Sequence, residues 1–162
     1  MKDRIKQLLH HPLLSNRWFL MGLWFVIALA GMLKYNRSFN NFLIFRGVYW
    51  HTVNQTSLYA AYPAEYGDVN HYGPVFSLVI APFALLPLWA GMLLWLVFLT
   101  AWLYVAIVRS GLHEKQKIFI LWFCGITLPT ALFMQQFNIA VAAMILSSLF
   151  LIEKEKDCWA AF

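Results

Sequence analysis

The run PVFSLVIAPFALLPLWAGMLLWLVFLTAWLYVAIV, residues 74–108, contains no charged side chain. Its apolar residues are continuous and do not follow the spacing of one helical face, so the run reads as buried in lipid or protein on all sides. At about 35 residues it is too long for one membrane helix and long enough for two. Leu86-Pro87-Leu88-Trp89 is the natural turn between them. The first half, 74–88, carries Pro82 and reaches only about 22 Å at about 1.5 Å per residue. It is expected to start below the surface or to pack against protein. The second half, 89–108, is a full-length span.

Further out on both sides the same pattern repeats. A charged connection at 109–117 leads to a second long apolar block, 118–152, which Pro129, Thr130 and Gln135-Gln136-Phe137-Asn138 divide in two. Upstream, 18–33 is a first span. Across 162 residues, 62% are hydrophobic and 12% charged, against roughly 45–50% and 25% in a soluble domain. The fold class implied is all-α, a polytopic membrane helix bundle of about five spans plus an interfacial helix, in a single module over 1–162. Glu153-Lys154-Glu155-Lys156-Asp157 reads as a surface loop, and the apolar run that follows it stops at once. The chain is therefore expected to be the amino-terminal part of a longer protein.

Residues 1–17 are basic, with Ile5, Leu8, Leu9 and Leu13 at helical intervals and Pro12 interrupting, so they are expected to lie along the inner membrane surface. Ala28-Leu29-Ala30 resembles a signal cleavage site. An uncleaved anchor is preferred, because the basic leader is long and the apolar run continues to Leu33. The net charge is +5; Lys2, Arg4, Lys6 and Arg17 cluster at the amino end and the other basic residues are scattered, without interleaved stacking aromatics. Nucleic acid is thereby excluded as a partner, and anionic membrane lipid fits. Cys124 and Cys158 form no disulfide framework and read as inert thiols.

Orientation carries a conflict. The amino-terminal cations place Met1 in the cytoplasm and the loop 34–73 outside. With five spans, Arg109, Lys115 and Lys117 then also fall outside, against the same rule. A re-entrant 74–88 would resolve this; the amino-terminal signal is given more weight in placing the chain.

The loop 34–73 holds six of the seven tyrosines, as suits a surface at headgroup depth. Within it, 38–53 reads as an interfacial helix with Ser38 as its cap and Phe39, Phe42, Leu43, Tyr49, Trp50 and Val53 on one face. Arg46 falls on that face. It either pairs with the phosphate of a lipid-linked donor or snorkels to the headgroups. Glu65 and Asp68 are the loop's only carboxylates, beside His71 and Tyr72 where the chain returns to the membrane. A carboxylate there suits a general base acting on a sugar hydroxyl, and a solvated turn explains the same residues equally well. His51 and His71 stand too far apart, with no close third ligand, to suggest zinc. Gln135, Gln136 and Asn138 line a cavity, join helices or sit at the membrane face, with a helix-bonding or turn role favoured. No phosphate-cradling glycine loop, nucleophile elbow or metal-binding helix is present, and no cofactor or metal is expected.

In their order along the chain, Asn40-Asn41-Phe42, Leu58-Tyr59, Tyr72-Gly73-Pro74-Val75-Phe76, Ala81-Pro82-Phe83-Ala84-Leu85-Leu86-Pro87 and Gln136-Phe137-Asn138 resemble the GT-C class of polytopic glycosyltransferases. The closest likeness, over about 39–152, is to glycosyltransferase family 87, polyprenol-phosphate-mannose-dependent mannosyltransferases of the cell envelope. The resemblance implies an enzyme, integral and multi-pass in a bacterial inner (plasma) membrane. It would transfer a hexose, mannose by the likeness, from a polyprenyl-phosphate-linked sugar to an extracytoplasmic glycan or glycolipid, with inversion and a loop carboxylate as base. The sequence departs from that pattern where Asn40-Asn41 stands in place of an aspartate, and an amide cannot act as the base. Asp68 is then the expected catalytic residue, with Glu65 in reserve. Arg46, Asn40, Asn41, His71, Tyr72, Gln136 and Asn138 are the expected phosphate- or substrate-binding set. The competing reading is a non-catalytic membrane transport or assembly subunit, in which these polar residues only bind or pack.

Overall fold

The computed structural model describes residues 12–34 and 39–160. The basic segment up to residue 11, the expected cap Ser38 and the last two residues lie outside the described residues. Every regular element among the described residues is helical: α1 (Arg17–Gly31), α2 (Asn40–Val53), α3 (Phe76–Ala84), α4 (Leu88–Arg109), α5 (Glu114–Phe133), α6 (Asn138–Glu153) and the short α7 (Asp157–Ala160).

Asn16 starts α1, its side-chain oxygen accepting from the Trp18 and Phe19 amides at 2.8 and 3.2 Å, as a helix start requires. Pro87 precedes α4, where its missing N–H costs nothing. The α4 helix is the axis of the fold. Met92, Trp95, Leu96 and Leu99 are fully buried on it, with Leu103 and Ile107 continuing the same helical spacing.

Pairwise contacts fix the direction of each long helix. Trp102 Nε1 donates to Ser147 Oγ at 3.3 Å, Trp95 stacks on Phe137, and Gly111 lies against the Glu153 carboxylate, so α4 and α6 run parallel. Arg17 meets Glu114, Trp24 Nε1 donates to the Leu121 carbonyl, and Gly31 packs on Leu132, so α1 and α5 run parallel too. The two pairs oppose each other, since the Tyr104 hydroxyl near the end of α4 donates to the Arg17 carbonyl at the start of α1.

The segment 74–88 differs from the expected second span. Its α3 is a nine-residue helix, about 14 Å long and half of a roughly 30 Å hydrocarbon core. Both of its ends lie at the same end of the bundle. Phe76 starts it against Phe45 and Phe137, and its last carbonyls meet Arg46 beside the start of α4. A backbone that turns back in this way places the connection 109–117 at the same end as Arg17. Among the described residues, α4 and α5 alone are long and apolar enough to cross a membrane unaided; α1 and α6 are apolar but shorter, at 15 and 16 residues.

The α2 helix packs differently from the expected amphipathic face. Phe42, Ile44, Phe45, Gly47, Val48 and His51 are buried, whereas Trp50 and Val53 are exposed. The reason is that α2 is covered on two sides, by α3 and by the returning loop. Tyr66 of that loop lies so close to Gly47 that a Cβ there would meet its ring at 2.8 Å.

Candidate functional site

At the end of the bundle roofed by α2 and α3, three pieces of chain enclose a cleft of about 160 Å³. The first turns of α2 contribute Asn41, Ile44 and Phe45. The loop contributes Asp68, Val69, His71 and Tyr72, and the junction of α5 and α6 contributes Gln136, Phe137 and Asn138. Polar groups form the rim. Below them the aromatic side chains of Phe45, Tyr72 and Phe137 contact one another edge to face, at centroid separations of 5.1 to 6.5 Å, and continue into Phe76 and Trp95.

Amide side chains hold the three pieces together. Asn41 Nδ2 donates to the Met134 carbonyl at 2.6 Å, tying α2 to the junction. The Gly67 amide donates to Asn40 Oδ1 at 2.6 Å, fixing the residue just before Asp68. Asn70 is buried; its side chain donates to the Leu58 and Tyr72 carbonyls and accepts from the Tyr72 amide, holding the loop on both sides. The sequence marked this stretch as a turn suited to Asp and Asn but gave Asn70 no part in holding the site; its side chain bonds the backbone two residues on, as turn asparagines do.

The junction is shaped by the end of α5. Gln136 N–H donates to the Ala131 carbonyl and Gln135 N–H to that of Leu132, the paired closure of a Schellman motif. Gln135 occupies its left-handed position at φ 47°, where glycine is usual. Its buried side chain bonds the Phe133 carbonyl at 2.7 Å. The turn thus projects Gln136 and Asn138 toward the cleft.

Six of the nine site residues expected from sequence therefore line one cleft: Asn41, Asp68, His71, Tyr72, Gln136 and Asn138. Asn40 stands behind it as a tie. Glu65 is turned to buried His51, whose Nε2 lies 3.0 Å from its carboxylate, with the Tyr62 ring tilted against the same imidazole. Arg46 is also elsewhere. Its Nε donates to the Ala84 carbonyl at 3.1 Å and its Nη2 to that of Leu86 at 3.3 Å, closing the end of α3. Neither phosphate pairing nor snorkelling describes that geometry: a helix end buried among protein leaves carbonyls that a guanidinium satisfies.

Asp68 is exposed on the rim. One carboxylate oxygen accepts the Val69 amide at 2.8 Å, and the other has no hydrogen-bond partner among the described residues. The side chains of His71, Gln136 and Asn138 have no hydrogen-bond partner among the described residues, so their polar atoms are available to a ligand. Burial raises the Tyr72 phenol above its ordinary value, keeping it a neutral donor. No cluster among the described residues has the composition of a metal site.

The model of glycosyltransferase family 87 matches residues 70–162, more than half of the chain. The chain belongs to glycosyltransferase family 87. No curated protein and no solved structure gives a significant match. As a family 87 member the chain is a glycosyltransferase, which binds a sugar donor and an acceptor, and the family's proteins reside in membranes. The family match takes in His71, Tyr72, Gln136 and Asn138 of the cleft; Asn41 and Asp68 precede it.

Proposed function

We propose that the cleft transfers a hexose, mannose in our reading, from a polyprenyl-phosphate donor to a glycan or glycolipid on the extracytoplasmic side of a bacterial inner membrane, with inversion. The supporting observation is that Asp68, among the described residues the single carboxylate lining the cleft, stands beside His71, Gln136 and Asn138, whose side chains have no hydrogen-bond partner among them, above an aromatic floor. In this reading Asp68 takes the proton from an acceptor hydroxyl as that oxygen bonds to the anomeric carbon. The bond from the anomeric carbon to the phosphate oxygen breaks with its electron pair. The polyprenyl phosphate leaves, its charge met by His71 and the amide donors. The apolar faces of the sugar rest on Phe45, Tyr72 and Phe137, and Gln136 and Asn138 bond its hydroxyls.

Four helices, α1, α4, α5 and α6, cross the membrane in this reading, and the α2–α3 layer is held at its outer surface. Glu65 pairs with His51, and Arg46 closes α3, so neither is assigned to the chemistry.

Membranes containing the full chain, given radiolabelled polyprenyl-phosphate mannose, test the proposal. Asp68→Asn should lower sugar transfer about 100-fold or more, the range for loss of a general base. Glu65→Gln should keep most of it. Retained turnover in Asp68→Asn removes Asp68 from the mechanism, and the reverse pattern moves the role to Glu65. A transport or assembly subunit would release no polyprenyl phosphate at all.

A further inference from the structure

At the opposite end of the bundle from the cleft, two hollows share one face of α1. The first is a groove of about 320 Å³ between α1 and α4, floored by Gly22 and Ala101 and walled by Met21, Phe25, Tyr104 and Val105. Its surface is almost wholly apolar. The second is a notch of about 730 Å³ formed by Arg17 and Trp18 of α1 with Glu114 and Lys115 of α5. Arg17 and Trp18 precede Met21 and Gly22 by four residues, one helical turn, and the hydroxyl of Tyr104 in the groove wall donates to the Arg17 carbonyl, so the notch on the α5 side adjoins the groove on the α4 side.

The notch carries net positive charge. Glu114 alone faces both Arg17 at 3.6 Å and Lys117 at 3.2 Å, so one carboxylate is shared between two cations. No acid among the described residues pairs with Lys115. Trp18, largely exposed beside them, is an amphipathic ring of the kind favoured at headgroup depth.

We propose that notch and groove together hold one anionic phospholipid, its headgroup at Arg17 and Lys115 and one acyl chain along Gly22 between α1 and α4. Charge complementarity decides the occupant. A cationic mouth opening on an apolar slot matches a lipid, which is anionic at one end and hydrocarbon at the other. A neighbouring transmembrane helix would need its own acid at the mouth to match the same charges. The site lies at the other end of the molecule from the sugar cleft and does not depend on the chemistry assigned there.

Gly22 allows a test that spares the fold, because a Cβ added there meets nothing within 4 Å. The full chain is incubated in detergent with equal amounts of phosphatidylglycerol and phosphatidylcholine of matched chains. Lipid retained after purification is then quantified, together with thermal unfolding and oligomeric state. The wild type should retain phosphatidylglycerol in several-fold excess. Lys115→Ala should reduce that excess about fivefold, the usual effect of one surface cation, and Lys115→Arg should restore it. Gly22→Leu, whose side chain fills the groove, should release both lipids with the melting temperature unchanged or raised. Equal retention of the two lipids by the wild type overturns the proposal, as does full retention in Gly22→Leu. A Gly22→Leu protein that loses an oligomer instead of a lipid assigns the groove to a helix and overturns it too.

Discussion

At position 41 an aspartate would set a carboxylate against the Met134 carbonyl that the Asn41 amide now contacts at 2.6 Å. Two acceptors repel, so an aspartate at this position is at odds with the way this chain closes its cleft. Asn41→Asp should therefore destabilise the fold by ~0.5–1.5 kcal/mol, the net worth of a half-exposed hydrogen bond, and should create no new activity. Denaturation in detergent and sugar transfer read the two effects separately. Tyr66 supplies a pH dependence from the same loop. Burial raises its phenol, and the Glu65 charge and Tyr62 raise it further. A raised acid stabilises the fold fully below its unfolded value, near about 10, and that stability is lost as pH rises through the higher folded value. The loop should accordingly open only in alkali, above about pH 10, and phenolate absorbance should rise together with exposure of Gly47. Tyr66→Phe should remove that alkaline transition.

Helix ends carry most of what the sequence left hidden. Three helices finish with a non-glycine residue in the left-handed position: Gln55 after α2, Gln135 after α5 and Glu155 after α6, at φ 56°, 47° and 56°. Each is closed by the same paired amide bonds. Without glycine the stops are hard to read: of the signs that divide 118–152, Pro129 and Thr130 lie inside α5, and the polar group 135–138 alone falls at the α5–α6 break. The left-handed backbone costs an ordinary residue ~1–2 kcal/mol, partly offset by glycine's greater chain entropy. Exposed Gln55→Gly should therefore raise the melting temperature of the full chain modestly, by the equivalent of ~0.5–1 kcal/mol. The opposite constraint holds at Gly91. A Cβ there would collide with the Phe83 carbonyl and crowd Phe42. Gly91→Ala should cost ~1–3 kcal/mol as overpacking, push α3 away from α4 and lower transfer with it. Thermal unfolding and the transfer assay check both. The helical periods and apolar blocks were legible because they depend on composition over many residues. The destinations of Arg46 and Glu65 were not, because each depends on a contact made by a distant turn: the end of α3 in one case, His51 in the other.

For the whole molecule, the decisive feature is that α3 returns to the end it started from. That return brings Arg109, Lys115 and Lys117 to the same end as Arg17, and Lys154, which caps α6, joins them beside the Gly111 turn. In the four-crossing reading, Arg17, Arg109, Lys115, Lys117 and Lys154 then gather away from the cleft, while Lys34, which follows α1, and Arg46, which is bound within the roof, stand at the cleft end, so the balance of cations among the described residues follows the positive-inside rule. The conflict met in the sequence arose from treating 74–88 as a crossing: an apolar run of that length satisfies the composition of a membrane segment, but only its packing against α2 shows that it turns back. The two topologies differ at one position that labelling can reach. In a chain with Cys124 and Cys158 replaced by alanine, Ser57→Cys and Leu112→Cys place single thiols in the loop and in the α4–α5 connection. With α3 re-entrant, an impermeant thiol reagent added to intact cells should label position 57 alone, and position 112 should react only after the membrane is opened. If both react from outside, 74–88 is a true span, the cations at 109–117 stand outside, and the cleft's roof must be rebuilt around a second crossing.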